Sequence, residues 1–120
     1  MTRAHIHWLI GESLPEHVAL LEAVPGVGNV GKLVVDALVE NNPSILIARI
    51  LHPDMPPHST LDEDGLLTPP SMLVHRVMLS DGKYVVTVTG ELQPMTATGQ
   101  HEVAQAILEM AHSTPHLLVL

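Results

Sequence analysis

Between Val18 and Leu51 the chain lays out a strand, a glycine turn, a helix and a second strand with almost no linker, and that order constrains the fold more than any other feature. Val18–Val24 is a short apolar run closed by Pro25-Gly26-Val27-Gly28-Asn29-Val30-Gly31-Lys32. From Asn29 the apolar residues fall at Val30, Leu33, Val34, Ala37 and Leu38, the spacing of one helix face. Asn41-Asn42-Pro43 stops that helix, because proline disfavours helical geometry in the residue before it. Ser44–Leu51 is a near-continuous apolar run rich in isoleucine, the pattern of a strand covered on both faces. Connections this tight imply a right-handed crossover and two parallel strands. The expected class is therefore α/β.

The flanks add further elements. His5–Ile10 reads as a strand and Gly11–His17 as a turn. His52–Pro70 is a proline-rich excursion or small hairpin around the acidic turn Asp62-Glu63-Asp64-Gly65. Met72–Leu79 and Lys83–Thr89 are strands, and Asp81-Gly82 between them is a strong hairpin signal. After a loop over Gly90–Thr98, the residues Val103, Ala106, Ile107, Met110 and Ala111 mark a second helix, with Thr98 as its expected cap and Glu102 well placed for the helix dipole. His116–Leu120 reads as the start of a buried strand, one that needs a neighbour. The whole, 1–120, is expected to be a single domain, long enough to bury about two-thirds of its unfolded surface.

Composition excludes several functions. Five basic residues face thirteen acidic ones, a net charge of −8, and the basic residues are scattered. Trp8 and Tyr84 are the only aromatics. Neither a phosphate-backbone footprint nor a base-stacking platform can be built from that set, so nucleic acid is not an expected partner. The chain has no cysteine, hence no disulfide or thiol site. No apolar run approaches the ~18 residues that span a bilayer, and His5 and His7 interrupt any signal peptide. The expected setting is soluble and cytoplasmic, with no membrane partner.

The glycine turn is the first motif to weigh. Gly26, Gly28 and Gly31 spell G-x-G-x-x-G, and Gly26–Lys32 spells G-x-x-x-x-G-K with Leu33 where a metal-binding Ser or Thr belongs. A dinucleotide site also wants a carboxylate at the end of the next strand, but the first one is Asp54, beyond a proline. A structural elbow is the favoured reading. The alternative is a phosphate- or nucleoside-binding protein or enzyme using Gly26, Gly28, Gly31 and Lys32.

Other motifs stop short of chemistry. His5 and His7 share a strand face, yet no second pair supports a metal. His101-Glu102 opens like H-E-x-x-H, but Gln105 replaces the second histidine. The acidic turn lacks the terminal glutamate of a calcium loop, since Ser71 stands there. Ser59, Ser71, Ser80 and Ser113 lie outside any nucleophile-elbow context. No catalytic residue, cofactor or metal is expected, and the chain reads as a non-enzyme.

Three stretches in register resemble the proteasome assembly chaperone 2 family, including its archaeal and actinobacterial members. They are Pro25-Gly26-Val27-Gly28-Asn29-Val30-Gly31-Lys32-Leu33, then His52-Pro53-Asp54-Met55-Pro56-Pro57 with Asp62-Glu63-Asp64-Gly65, then Gly90-Glu91-Leu92-Gln93-Pro94 with Gly99-Gln100-His101-Glu102. The likeness runs over Val18–Leu120 and to the N-terminal half of family members, which are about twice as long. It implies a three-layer α/β/α fold with a mixed central sheet, related to nucleoside phosphorylases and completed by oligomerisation. It also implies an ATP-independent assembly factor that binds proteasome α-subunits as a homo-oligomer. The hydrophobic-Tyr-x tail of some proteasome-docking partners is not matched by Leu118-Val119-Leu120. Recognition loops commonly leave the scaffold, so Asp54, Met55, Asp62, Glu63 and Asp64 form the candidate interaction surface.

Overall fold

The computed structural model describes residues 3–23, 30–56, 60–61, 67–68, 70–90 and 93–120. Its strands are β1 (His5–Trp8), β2 (Ala19–Ala23), β3 (Ser44–Leu51), β4 (Thr60–Leu61), β5 (Leu67–Thr68), β6 (Met72–Met78), β7 (Tyr84–Thr89) and β8 (Leu117–Val119). The helices are α1 (Val30–Asn41) and α2 (Ala97–Met110), and a 3-10 turn follows α2 over Ala111–Ser113. β4 and β5 pair as a separate two-stranded ribbon within the proline-rich excursion.

Six strands form one mixed sheet in the order β1-β3-β6-β7-β2-β8. β3 is antiparallel to both β1 and β6, and β6 is antiparallel to β7. β2 lies parallel to β7 and to β8. β2 and β3 therefore run in the same direction, as the α1 crossover requires, but β7 and β6 lie between them. The hairpin at Asp81-Gly82 supplies those two inserted strands. Gly82 adopts φ +84°, which a side chain disfavours, while Asp81 Oδ1 accepts the Lys83 N–H at 3.0 Å.

The two faces of the sheet are packed differently. Leu20, Ile50, Met72, Val74, Val86 and Val88 meet Val103, Ile107, Met110 and Ala111 of α2 and its following turn in one core. Every residue expected on the buried face of α2 is buried. The cap is Thr96 rather than Thr98: its extended backbone (φ −108°, ψ 149°) lets its hydroxyl accept the Gly99 N–H at 2.9 Å. His17, also buried, ties the turn after β1 to the segment after α2. Its Nδ1 lies 2.7 Å from the Pro15 carbonyl and its Nε2 2.7 Å from Thr114 Oγ1.

On the opposite face α1 crosses β2, β7 and β6. Here one expectation is overturned. Val30, Leu33 and Val34 point outward, 69%, 64% and 48% exposed, and Val35 is the side chain buried on the sheet. At 100° per residue the apolar positions of α1, Val35 and Val39 included, wrap more than half the helix. The sheet covers only the flank bearing Gly31, Val35, Leu38 and Val39. The strand expected at the C-terminal end is present too, but it is an exposed edge strand and not a buried one.

Candidate interaction site

The chain leaves β3 through His52-Pro53-Asp54-Met55, and a polar clamp ties this segment to the start of α2. Asp54 Oδ2 accepts from the Thr96 hydroxyl at 2.6 Å and from Arg3 Nη2 at 2.7 Å. The Asp54 carbonyl accepts the Met95 N–H at 2.8 Å. The Arg3 guanidinium also donates to Glu102 Oε1, from Nε at 3.1 Å and from Nη2 at 2.9 Å, and the Arg3 backbone N–H reaches Glu102 Oε2. Arg3 thus spans two carboxylates from distant parts of the chain. Its pKa is raised by the hydrogen bonds to Glu102 and then Asp54. Asp54 is held below the ordinary carboxyl range by the bonds from Thr96 and Arg3, and Glu102 chiefly by Arg3.

Beneath the clamp lies buried His52. Its Nδ1 accepts the Asp54 N–H at 3.0 Å, which leaves the proton on Nε2. That atom lies 3.6 Å from Glu102 Oε1 and has no hydrogen-bond partner. Through the Asp54 N–H this imidazole positions the backbone after β3. Met55 is 5% exposed and belongs to the core. Of the expected interaction surface, Asp54 is engaged by Arg3 and Thr96, and Met55 anchors the segment from below. Asp62, Glu63 and Asp64 lie outside the described residues. Sequence reading placed Glu102 at a helix dipole; its actual partner, Arg3, is 99 residues away and carries no local signal.

The glycine turn is only partly visible, since Gly26 and Gly28 lie outside the described residues. At Gly31 a Cβ would sit 2.9 Å from the Leu120 Cβ and 3.0 Å from its carbonyl carbon. A glycine here permits close approach of α1 to the chain beyond β8. Lys32 Nζ donates to Asp36 Oδ2 at 2.6 Å, one turn further along α1. The cation of the phosphate-loop reading is therefore already paired.

Two features of the α1 side were not read from sequence. The first is an apolar surface: Val30, Leu33 and Val34 of α1 stand beside Leu118 and Leu120, which are 52% and 50% exposed. Leu118 and the Leu120 position alternate onto the α1 side of the sheet, because β8 runs in register with β2 (Leu21 opposite Leu118). The excess of apolar positions around α1 was the available signal. The second is a polar seam under α1, where His75 Nδ1, Thr87 Oγ1 and Thr89 Oγ1 are buried without hydrogen-bond partners. Burial, and then Arg49, lowers the His75 pKa and favours its neutral form. No group of three or more His, Asp or Glu side chains that could hold a metal occurs among the described residues. Among the described residues no helix is long and apolar enough to cross a membrane.

Comparison with known proteins agrees with this geometry. The PAC2 family profile matches residues 20–114, from β2 to the segment after α2. The chain belongs to the PAC2 family. An uncharacterized protein from Methanocaldococcus jannaschii is 27% identical over 95 residues, which cover 79% of this chain and 36% of the relative. The crystal structure of Pyrococcus furiosus PbaB, an archaeal proteasome activator, superposes with a TM-score of 0.78 at 20% identity over 99% of this chain and 51% of its own. A Corynebacterium glutamicum protein of unknown function gives 0.65 at 14% identity over 98% of this chain and 48% of its own. The fold is the one shared by these structures, and this PAC2 chain spans about half the length of each.

Proposed function

We propose that this PAC2 chain is a non-enzymatic, self-associating protein-binding factor that acts on proteasome α-subunits in the cytoplasm. The observation that carries the reading is the apolar surface made by Val30, Leu33, Val34, Leu118 and Leu120. Contiguous exposed apolar surface beside an edge strand is the chemistry of association between polypeptides. Self-association occurs through α1 and β8. The partner is bound through the excursion's residues Asp54, Met55, Asp62, Glu63 and Asp64. Family membership supports the proteasome-related role, and PbaB, described as a proteasome activator, supports the class of partner. The phosphate-loop alternative is disfavoured by the Lys32–Asp36 pair and by the packing at Gly31.

Size-exclusion chromatography with light scattering tests this, with the protein alone and mixed with α-subunits of the same organism. The expected result is an oligomer that forms a joint peak with the α-subunits, and a Leu33→Lys/Leu118→Lys variant that runs as a monomer with unchanged circular dichroism. An oligomer indifferent to both substitutions would sink the assignment of the interface. Absence of any joint peak would sink the partner.

A further inference from the structure

A cleft of about 630 Å³ lies on the α2 side of the sheet, between β1 with its following turn and the C-terminal end of α2. The size is that of a ligand pocket rather than a packing defect. Its floor is apolar, formed by Ile6, Trp8, Leu14, Ala106 and Met110. Its rim carries two carboxylates, Glu12 and Glu109. Neither makes an ion pair among the described residues, in contrast to Asp54 and Glu102 of the clamp. Among the described residues no lysine or arginine lines the cleft.

Three independent sources of negative potential converge there. Glu12 and Glu109 supply formal charge. The C-terminal pole of α2 adds partial charge, with no lysine or arginine in that helix's last turn, although His112 Nδ1 lies 3.0 Å from the Glu109 carbonyl. The indole of Trp8 presents a ring of the type that attracts cations. An apolar floor under an anionic rim suits a group with an aliphatic stem and a cationic head, which is how lysine and arginine side chains are built.

We propose that this cleft is a recognition pocket for a lysine or arginine side chain, flanked by an apolar residue, on a partner polypeptide. The proposal rests on the protein-binding reading above and adds the chemistry of what is bound. The stem lies along Ile6, Leu14 and Met110, and the head is shared by Glu12 and Glu109 at the rim.

Trp8 is the only tryptophan of the chain, so its fluorescence reports this cleft without a label. The test titrates the full chain with a capped Leu-Arg-Leu tripeptide, with the same peptide carrying neutral citrulline for arginine, and with spermidine. A saturable change with the arginine peptide is expected, at least tenfold weaker for the citrulline peptide. The Glu12→Gln/Glu109→Gln variant should lose at least tenfold in affinity while its melting curve is unchanged, both residues being exposed.

No saturable change with the arginine peptide overturns the pocket. Equal binding of the citrulline peptide overturns the charge recognition, and spermidine binding tighter than the peptide overturns the polypeptide as the source. The joint-peak experiment is independent of all three. A protein that co-migrates with α-subunits but ignores the peptide loses this pocket and keeps its function, whereas the converse result separates the pocket from the proteasome.

Discussion

The two faces of the sheet use the same kinds of residue in opposite ways. On the α2 face the helix turns its apolar stripe inward, and Val103, Ile107 and Met110 close a continuous core over Leu20, Val74 and Val86. Most of its polar groups there are matched to one another, Arg3 to Asp54 and Glu102 and Thr96 to Asp54 and Gly99, with His52 Nε2 the buried atom left over. On the α1 face the helix turns much of its apolar surface outward and lies over unpartnered polar groups of β6 and β7. The first arrangement closes its core within one chain and leaves open the cleft at the end of α2, and the second leaves an apolar surface suited to self-association. A closed core and a self-associating surface are thus divided by one sheet.

The largest effect that can break this comparison is in the cores. Ile107→Ala should cost about 2–5 kcal/mol in urea unfolding, because it opens a cavity beneath fully buried neighbours. Leu33→Ala, of similar chemistry on the other helix, should stay within about 0.5 kcal/mol when measured on dilute, dissociated protein. At high concentration the same Leu33→Ala variant should weaken self-association. If dilute Leu33→Ala is as destabilised as Ile107→Ala, the α1 face is a closed core and the division fails.

The same contrast explains what could be read from the chain. α2 has one dominant apolar stripe, Val103, Ala106, Ile107 and Met110, with Leu108 the large apolar residue off it, so periodicity had one solution and found it. α1 has Val30, Leu33, Val34, Val35, Leu38 and Val39, so periodicity admitted two flanks, and only the neighbouring strands decide between them. His75 and Thr87 lie opposite each other on the sheet surface under α1, which receives the flank carrying Val35. Strands β3 and β6 and the Asp81-Gly82 hairpin were legible because alternation and turn chemistry are local. The insertion of β6 and β7 between β2 and β3 was not, because strand order is decided by tertiary pairing. The clamp was illegible for the same reason: Arg3, Asp54 and Glu102 meet only after the sheet has formed. Asp54 was singled out from its proline-rich surroundings, without any signal for its partners.

A smaller effect sharpens the comparison at two glycines. At Gly99 a Cβ would stand 2.8 Å from both the Pro94 Cβ and Thr96 Oγ1, and 3.0 Å from Asp54 Oδ2. Gly99→Ala should therefore disturb the α2 cap and the clamp together, at about 1–3 kcal/mol by thermal melting. Gly31→Ala faces a similar distance, but against an edge strand held by β2 alone. Alanine also favours the helix by about 1 kcal/mol over glycine, which offsets part of the clash. Global stability should change less than in Gly99→Ala. Hydrogen exchange at the Leu120 amide, bonded to the Glu22 carbonyl at 2.8 Å, should instead accelerate. Equal melting losses for the two variants would show that both faces are equally rigid.

The smallest effect is electrostatic, and its sign differs between groups. Asp54 and Glu102 are held below their ordinary values of 3.8 and 4.5 by hydrogen bonds from Thr96 and Arg3. Their contribution is fully present above those values and is lost as pH falls through the lowered ones, because the unfolded chain then binds more protons. Glu22, in β2 beside β8, is raised above 4.5 by burial. Here the folded state binds the extra proton, so stability falls as pH rises from about 4.5 through the raised value. Melting temperatures measured from pH 7 down to pH 3 should therefore rise slightly at first and then drop. Asp54→Asn/Glu102→Gln should lower the neutral-pH melting temperature and flatten the acid drop, leaving the initial rise. Glu22→Gln should remove the initial rise and leave the drop. The two variants separate a charge satisfied by Arg3 and Thr96 from a charge held by burial where β2 pairs with β8. If Glu22→Gln erased the acid drop instead, the clamp would not be the acid-sensitive element.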